Sequence, residues 1–145
     1  MQISEIMTRE VETVAPDASL QQAAAAMEAL GVGSLPVCDG RRLVGAITDR
    51  DIVVRGVAAG LSPVDSLVHE CMTADIAYAF DDEEADEVLE RMKTLQVRRL
   101  AVLDRDKTLV GIVSLGDIAT EPRAAALGSV GAAVAEISEP SRPKK

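Results

Sequence analysis

The chain has 145 residues, 48% of them hydrophobic, about one domain's length with ample material for a packed core. Its formal net charge of -9 excludes broad electrostatic attachment to DNA, RNA or an anionic membrane, partners that reward a basic face. A phosphate-bearing small molecule is not excluded, because it needs only a few local N–H groups and one or two arginines.

The opening Met1-Gln2-Ile3-Ser4-Glu5 lacks the basic start and apolar stretch of a secretory signal, and no segment approaches the roughly 18 apolar residues of a membrane span. A cytoplasmic protein is expected, with Cys38 and Cys71 reduced. Together with His69 these cysteines make a thin set for a metal. The competing reading is that Cys38 ends a buried strand as a small apolar side chain.

Val11 to Val14 predicts a short strand, and Pro16 follows it. Ser19 with Gln22 three residues on spells a capping box, so a helix is predicted to about Leu30, where Gly31 stops it. Leu35 to Cys38 and Leu43 to Thr48 read as strands across the hairpin turn Asp39-Gly40-Arg41-Arg42, and a second helix begins near Asp49 and fades by Gly60. The same order returns: a strand over Ile76 to Phe80, a helix from about Glu84 to Leu95, strands near Leu100 to Leu103 and Leu109 to Ser114, and a helix opening at Leu115. Val130 to Ile137 suggests one short helix, and Ser138 to Lys145 reads as a tail.

That return is a duplication. Met7-Thr8 recurs as Met72-Thr73 and Leu20, Ala23, Ala24, Met27, Leu30 as Ala85, Val88, Leu89, Met92, Leu95, at an offset of 65; Gly45 to Ile52 recurs as Gly111 to Ile118 at an offset of 66. The fold class is α/β (α+β): two strand-helix-strand-strand-helix repeats related by a pseudo-twofold axis. The organisation is repeat 1 over 1–60, a linker over 61–69, repeat 2 over 70–122 and a C-terminal extension over 123–145. A repeat of roughly 55 to 60 residues is marginal alone, so the halves are expected to share a core. The alanine run Ala23 to Ala26 suggests a close helix-mediated contact within the pair or between chains.

Thr48-Asp49-Arg50-Asp51 and Ser114-Leu115-Gly116-Asp117 each set a hydroxyl at a strand-to-helix junction with a carboxylate three residues later. The spacing reads as a plain capping box. It equally suits a nucleotide, with phosphate at the hydroxyl and first-turn N–H groups and a ribose diol at the carboxylate.

A glycine, two apolar residues, Thr or Ser, any two residues, then Asp and Ile, after an apolar strand and repeated once, resembles the cystathionine β-synthase (CBS) domain pair, or Bateman module. The resemblance covers about Ile3 to Thr120; over Leu43 to Leu61 the chain is similar to small stand-alone bacterial CBS-pair proteins of the hypoxic-response type. The resemblance implies a compact disc, usually a dimer, with adenine-containing ligands such as AMP, ADP, ATP, NAD or S-adenosylmethionine in clefts between repeats. By position, Asp51 and Asp117 would hold ribose hydroxyls, and Thr48 and Ser114, with Arg50 nearby, would face phosphate. The adenine would lie against Thr13-Val14 or Tyr78-Ala79 and against Ser34-Leu35-Pro36 or Arg99-Leu100-Ala101. Ala101 departs from the pattern where the first repeat has Pro36.

Arg98 and Arg99 stand where the first repeat has Gly33 and Ser34, which favours Ser114, Asp117 and Arg99 as the occupied site, against the alternative of a solvated strand edge. Tyr78 and Phe80, the chain's two aromatics, share one strand face; one is a candidate to stack on adenine, whereas Phe80 better suits core packing. The leading reading is a non-catalytic regulatory adenine-nucleotide sensor, AMP or a related nucleotide being its ligand, that requires no cofactor and acts as a homodimer on an unidentified protein effector. The alternative is a protein-interaction module with vestigial pockets. Catalysis is the weakest reading, since His69 has no nucleophile or metal-ligand set beside it.

Overall fold

A computed structural model of the chain describes residues 1–121; the helix predicted over Val130 to Ile137 and the tail after it lie outside the described residues. The chain divides into two compact units. The first unit holds Glu12–Ala77 with Lys107–Leu109, and the second holds Met1–Val11, Tyr78–Asp106 and, among the described residues, 110–121.

In the first unit, helix α1 (Leu20–Leu30) starts at the predicted box: Ser19 Oγ accepts from the Gln22 N–H, and Gln22 Oε1 accepts from the Ser19 N–H. It ends at Gly31, whose φ of 66° lets the chain turn left-handed. Strands β1 (Ser34–Asp39) and β2 (Arg42–Thr48) form an antiparallel hairpin, and β3 (Thr73–Ala74) adds to the far side of β2. A single α-helical turn, α2 (Asp49–Asp51), runs into a π-helical turn over Ile52–Val57. The sequence predicts an ordinary helix there. Three successive β-branched residues, Ile52-Val53-Val54, weaken the α-helical preference, and the buried Gly56 lies against Leu20 Cδ1 of α1.

The second unit has parallel β4 (Tyr78–Phe80) and β5 (Arg99–Leu103), with β6 (Leu109–Ser114) beyond β5. Helix α3 (Ala85–Leu95) ends on Gln96, left-handed at φ 56° without a glycine, and α4 (Leu115–Thr120) follows β6. The strand predicted over Val11 to Val14 is reduced to one parallel bridge from Val14 to Val37, the counterpart of Ala79 on Val102.

The duplication reaches individual hydrogen bonds. Ile3 N–H donates to Glu83 O at 2.9 Å and Ser4 N–H to Asp81 O at 3.0 Å; 65 residues on, Val68 N–H donates to Ala18 O at 2.8 Å and His69 N–H to Pro16 O at 3.0 Å. The end of the predicted linker is therefore a packed turn, with Val68 fully buried.

A shared core was expected, and the structure shows two clusters instead. Ile3 and Met7 pack with Val88, Leu89, Met92, Val102 and Ile118 in the second unit, while Val68 and Cys71 pack with Leu20, Met27, Val37 and Ile47 in the first. Each cluster is completed by a segment from the other end of the duplication. Thr8 bridges Ile112 on β6, as Thr73 pairs with Ala46 on β2. This exchange supplies the area that a lone repeat lacks.

Arg91 on α3 donates from Nη1 to the Tyr78 carbonyl at 3.0 Å and grips the half-buried Glu83 carboxylate with both Nη1 and Nη2. That guanidinium holds the Glu83 carboxyl below its ordinary range. The pair's contribution is present above the ordinary value and fades as pH falls through the depressed one. Replacing Arg91 by leucine should cost about 1.5–3 kcal/mol, the scale of a lost charged hydrogen bond. Urea unfolding across pH 3 to 7 checks it, with the largest difference expected at the neutral end.

Candidate functional site

Both hydroxyl–carboxylate pairs close as capping boxes. Thr48 Oγ1 accepts from the Asp51 N–H and Asp51 Oδ2 from the Thr48 N–H, each at 3.0 Å; for Ser114 and Asp117 both distances are 2.9 Å. One oxygen of each carboxylate is thus spent on the backbone. The other oxygen of Asp51 lies 3.9 Å from Arg55 Nε, and Arg55 also donates to the Met72 carbonyl at 3.1 Å.

A recess lies beside each box. In the second unit it measures about 740 Å³ and is lined by Val97, Arg98, Arg99, Ser114, Leu115, Gly116 and Ala119. In the first it measures about 440 Å³, with Val32, Gly33, Asp49 and Val53 at the positions equivalent to Val97, Arg98, Leu115 and Ala119. The floor is set the same way in both: Asp49 N–H donates to Gly33 O at 2.9 Å, and Leu115 N–H to Arg98 O at 2.8 Å.

Of the residues singled out from the sequence, Ser114 and Arg99 line the second recess together. Asp117 turns back to Ser114 and does not line it. None of Thr13, Val14, Leu35, Pro36, Thr48, Arg50 or Asp51 lines the first, although Thr48 and Asp51 flank it through their box. Val14, Leu35, Pro36, Ala79 and Leu100 are buried strand residues, whereas Thr13 and Arg50 are exposed and Tyr78 half-buried. Sequence reasoning missed Asp49 and Leu115, which differ at one register position.

Phe80 does not join the core as expected. It is half-buried, with its ring 5.4 Å from Tyr78 in an edge-on contact at 84°. Arg105 covers it at 4.1 Å and is held there by two hydrogen bonds to Asp82, at 2.9 and 2.7 Å. Arg105 thus covers one face of the Phe80 ring.

Cys38 and Cys71 are free and buried, and burial pushes both thiols up, keeping them protonated near neutrality. Among the described residues no group of three or more His, Cys, Asp or Glu is placed to hold a metal ion. No helix among them is long and apolar enough to cross a membrane.

The fold and these paired boxes define a tandem α+β module with two quasi-equivalent recesses. The chain belongs to the CBS domain family, whose model matches residues 3–56 and 68–123. It is 40% identical over 116 residues to hypoxic response protein 1 of Mycobacterium tuberculosis, covering 79% of this chain and 80% of that protein. A crystal structure of Hypoxic Response Protein I with two coordinated zinc ions is similar at TM-score 0.75 and 39% identity, over 84% of this chain and all of the other. The CBS domain pair of protein MJ0100, in complex with 5'-methylthioadenosine and S-adenosyl-L-methionine, is similar at TM-score 0.68 and 27% identity, over 82% of this chain and 97% of the other.

Proposed function

We propose that this chain is a regulatory sensor of adenosine-containing nucleotides, AMP or a close relative, acting on a separate protein effector rather than as an enzyme. One observation carries the reading: Ser114 lines the second recess together with Arg98 and Arg99, and the Asp117 carboxylate accepts from the Ser114 N–H just outside that lining. Arginine and hydroxyl suit phosphate oxygens, and the carboxylate suits a ribose diol. The bound adenosyl ligands of the MJ0100 pair support the same chemistry at 27% identity. Regulation then requires two arrangements of the protein with different ligand affinities, because equal affinity shifts nothing.

Calorimetric titration with AMP, ADP, ATP, NAD and S-adenosylmethionine tests the proposal. Saturable heat with at least one of them is expected. No heat and no thermal shift with any at millimolar concentration overturns it.

The effector-facing form is a homodimer in this reading. Val53, Val54 and Val57 on the π turn are 57%, 48% and 64% exposed, and Leu30 at the end of α1 is 45% exposed, a run of apolar surface that a second copy would cover. Light scattering should report a dimer for the parent, and Val53→Asp with Val57→Asp should shift it toward monomer.

A further inference from the structure

We infer that the two recesses sort ligands by charge, with Gly33 and Asp49 barring phosphate from the first unit so that one phosphorylated ligand binds per chain, in the second. This rests on the nucleotide-sensor reading and adds which unit is used and what decides it. The matching backbone hydrogen bonds, Asp49 to Gly33 and Leu115 to Arg98, put the side chains of 33 and 49 in the same two places as those of 98 and 115. In the second unit those places hold an exposed arginine and a buried leucine. In the first, the carboxylate occupies the space where a residue-33 side chain would begin: a Cβ built on Gly33 would stand 2.9 Å from Asp49 Oδ2. Asp49 Oδ1 accepts from the Arg50 N–H at 2.8 Å, which pins the group there.

A third position widens the contrast. Glu28 also lines the first recess, and none of the residues lining the second is acidic. The walls of the first recess thus carry two carboxylates, Glu28 and Asp49, and those of the second two arginines, Arg98 and Arg99. Arg50 is exposed and does not line the recess, so it does not reverse the sign at the walls. A phosphate entering the first recess meets a fixed like charge, whereas an uncharged adenosyl ligand does not.

The test compares AMP with uncharged 5'-methylthioadenosine by calorimetry. The parent should bind one AMP per chain tightly, a second at least about tenfold more weakly, and should show no such gap between its sites for 5'-methylthioadenosine. The double exchange Gly33→Arg with Asp49→Leu reproduces residues that already coexist on the equivalent backbone, and it should raise AMP to two similar sites. Asp49→Asn removes the charge at constant volume and should tighten the weak AMP site several-fold even where the double exchange does not fold. Two equal AMP sites in the parent, or an Asp49→Asn protein with the parent's site gap, would overturn the sorting while leaving the sensor reading intact. Absence of heat with both ligands overturns the sensor reading, and the sorting with it.

Discussion

Replacing Gly45 by alanine is expected to destabilise the protein by about 3 kcal/mol, the upper range for forcing volume into a packed site. The added Cβ would collide with the Thr73 carbonyl oxygen and stand 3.2 Å from its carbon, both backbone atoms of β3. No rotamer change relieves that contact. The methyl fits only if β3 leaves β2, which breaks the Gly45–Ala74 and Ala46–Thr73 pairing. Gly111 presents the same case more mildly, because one of its two contacts at 2.7 Å is the flexible Met7 Sδ and the other the Thr8 carbonyl oxygen. Gly116 gives the opposite sign: its Cβ would meet only Ser114 Oγ at 3.6 Å, and alanine favours the helix by about 0.5–1 kcal/mol. Urea midpoints of the three variants should therefore fall steeply, fall moderately and rise. A Gly45→Ala protein as stable as the parent would show that these strands do not approach so closely.

Asp117→Asn should weaken AMP binding about tenfold to a hundredfold, and Asp51→Asn much less. Asparagine keeps an oxygen to accept from the Ser114 N–H, so the helix start survives and the loss reports the ligand. The ionised carboxylate is the stronger acceptor for a diol, and its removal leaves the ribose hydroxyls with a neutral partner. Asp51 has a weaker claim, since its second oxygen already faces Arg55 at 3.9 Å and the neighbouring recess carries the Asp49 carboxylate. Titration of the two folded variants decides between the units. A larger loss for Asp51→Asn would place the nucleotide in the first.

Much of the molecule was legible from local pattern. Ser19 with Gln22 and then Gly31 marked both ends of α1, and the recurrence of Thr48-x-x-Asp51 as Ser114-x-x-Asp117 marked both boxes. These signals act over a few residues, through caps and backbone preferences that need no tertiary partner. The π turn over Ile52–Val57 was less legible, because its buried Gly56 lies against α1, and so was the left-handed Gln96, an exposed cap without a glycine to announce it.

The sequence by itself determined that the chain is a duplicated strand-helix-strand-strand-helix pair, because a repeat is visible in one dimension. Only the tertiary structure decided that Met7-Thr8 closes on β6 and Met72-Thr73 on β2, and hence why each motif opens with glycine: the partner backbone passes where a Cβ would stand. The same holds for the opposite charge of the two recesses. Glu28, Gly33 and Asp49 are separated along the chain, and helix ends and a strand junction bring them to one wall.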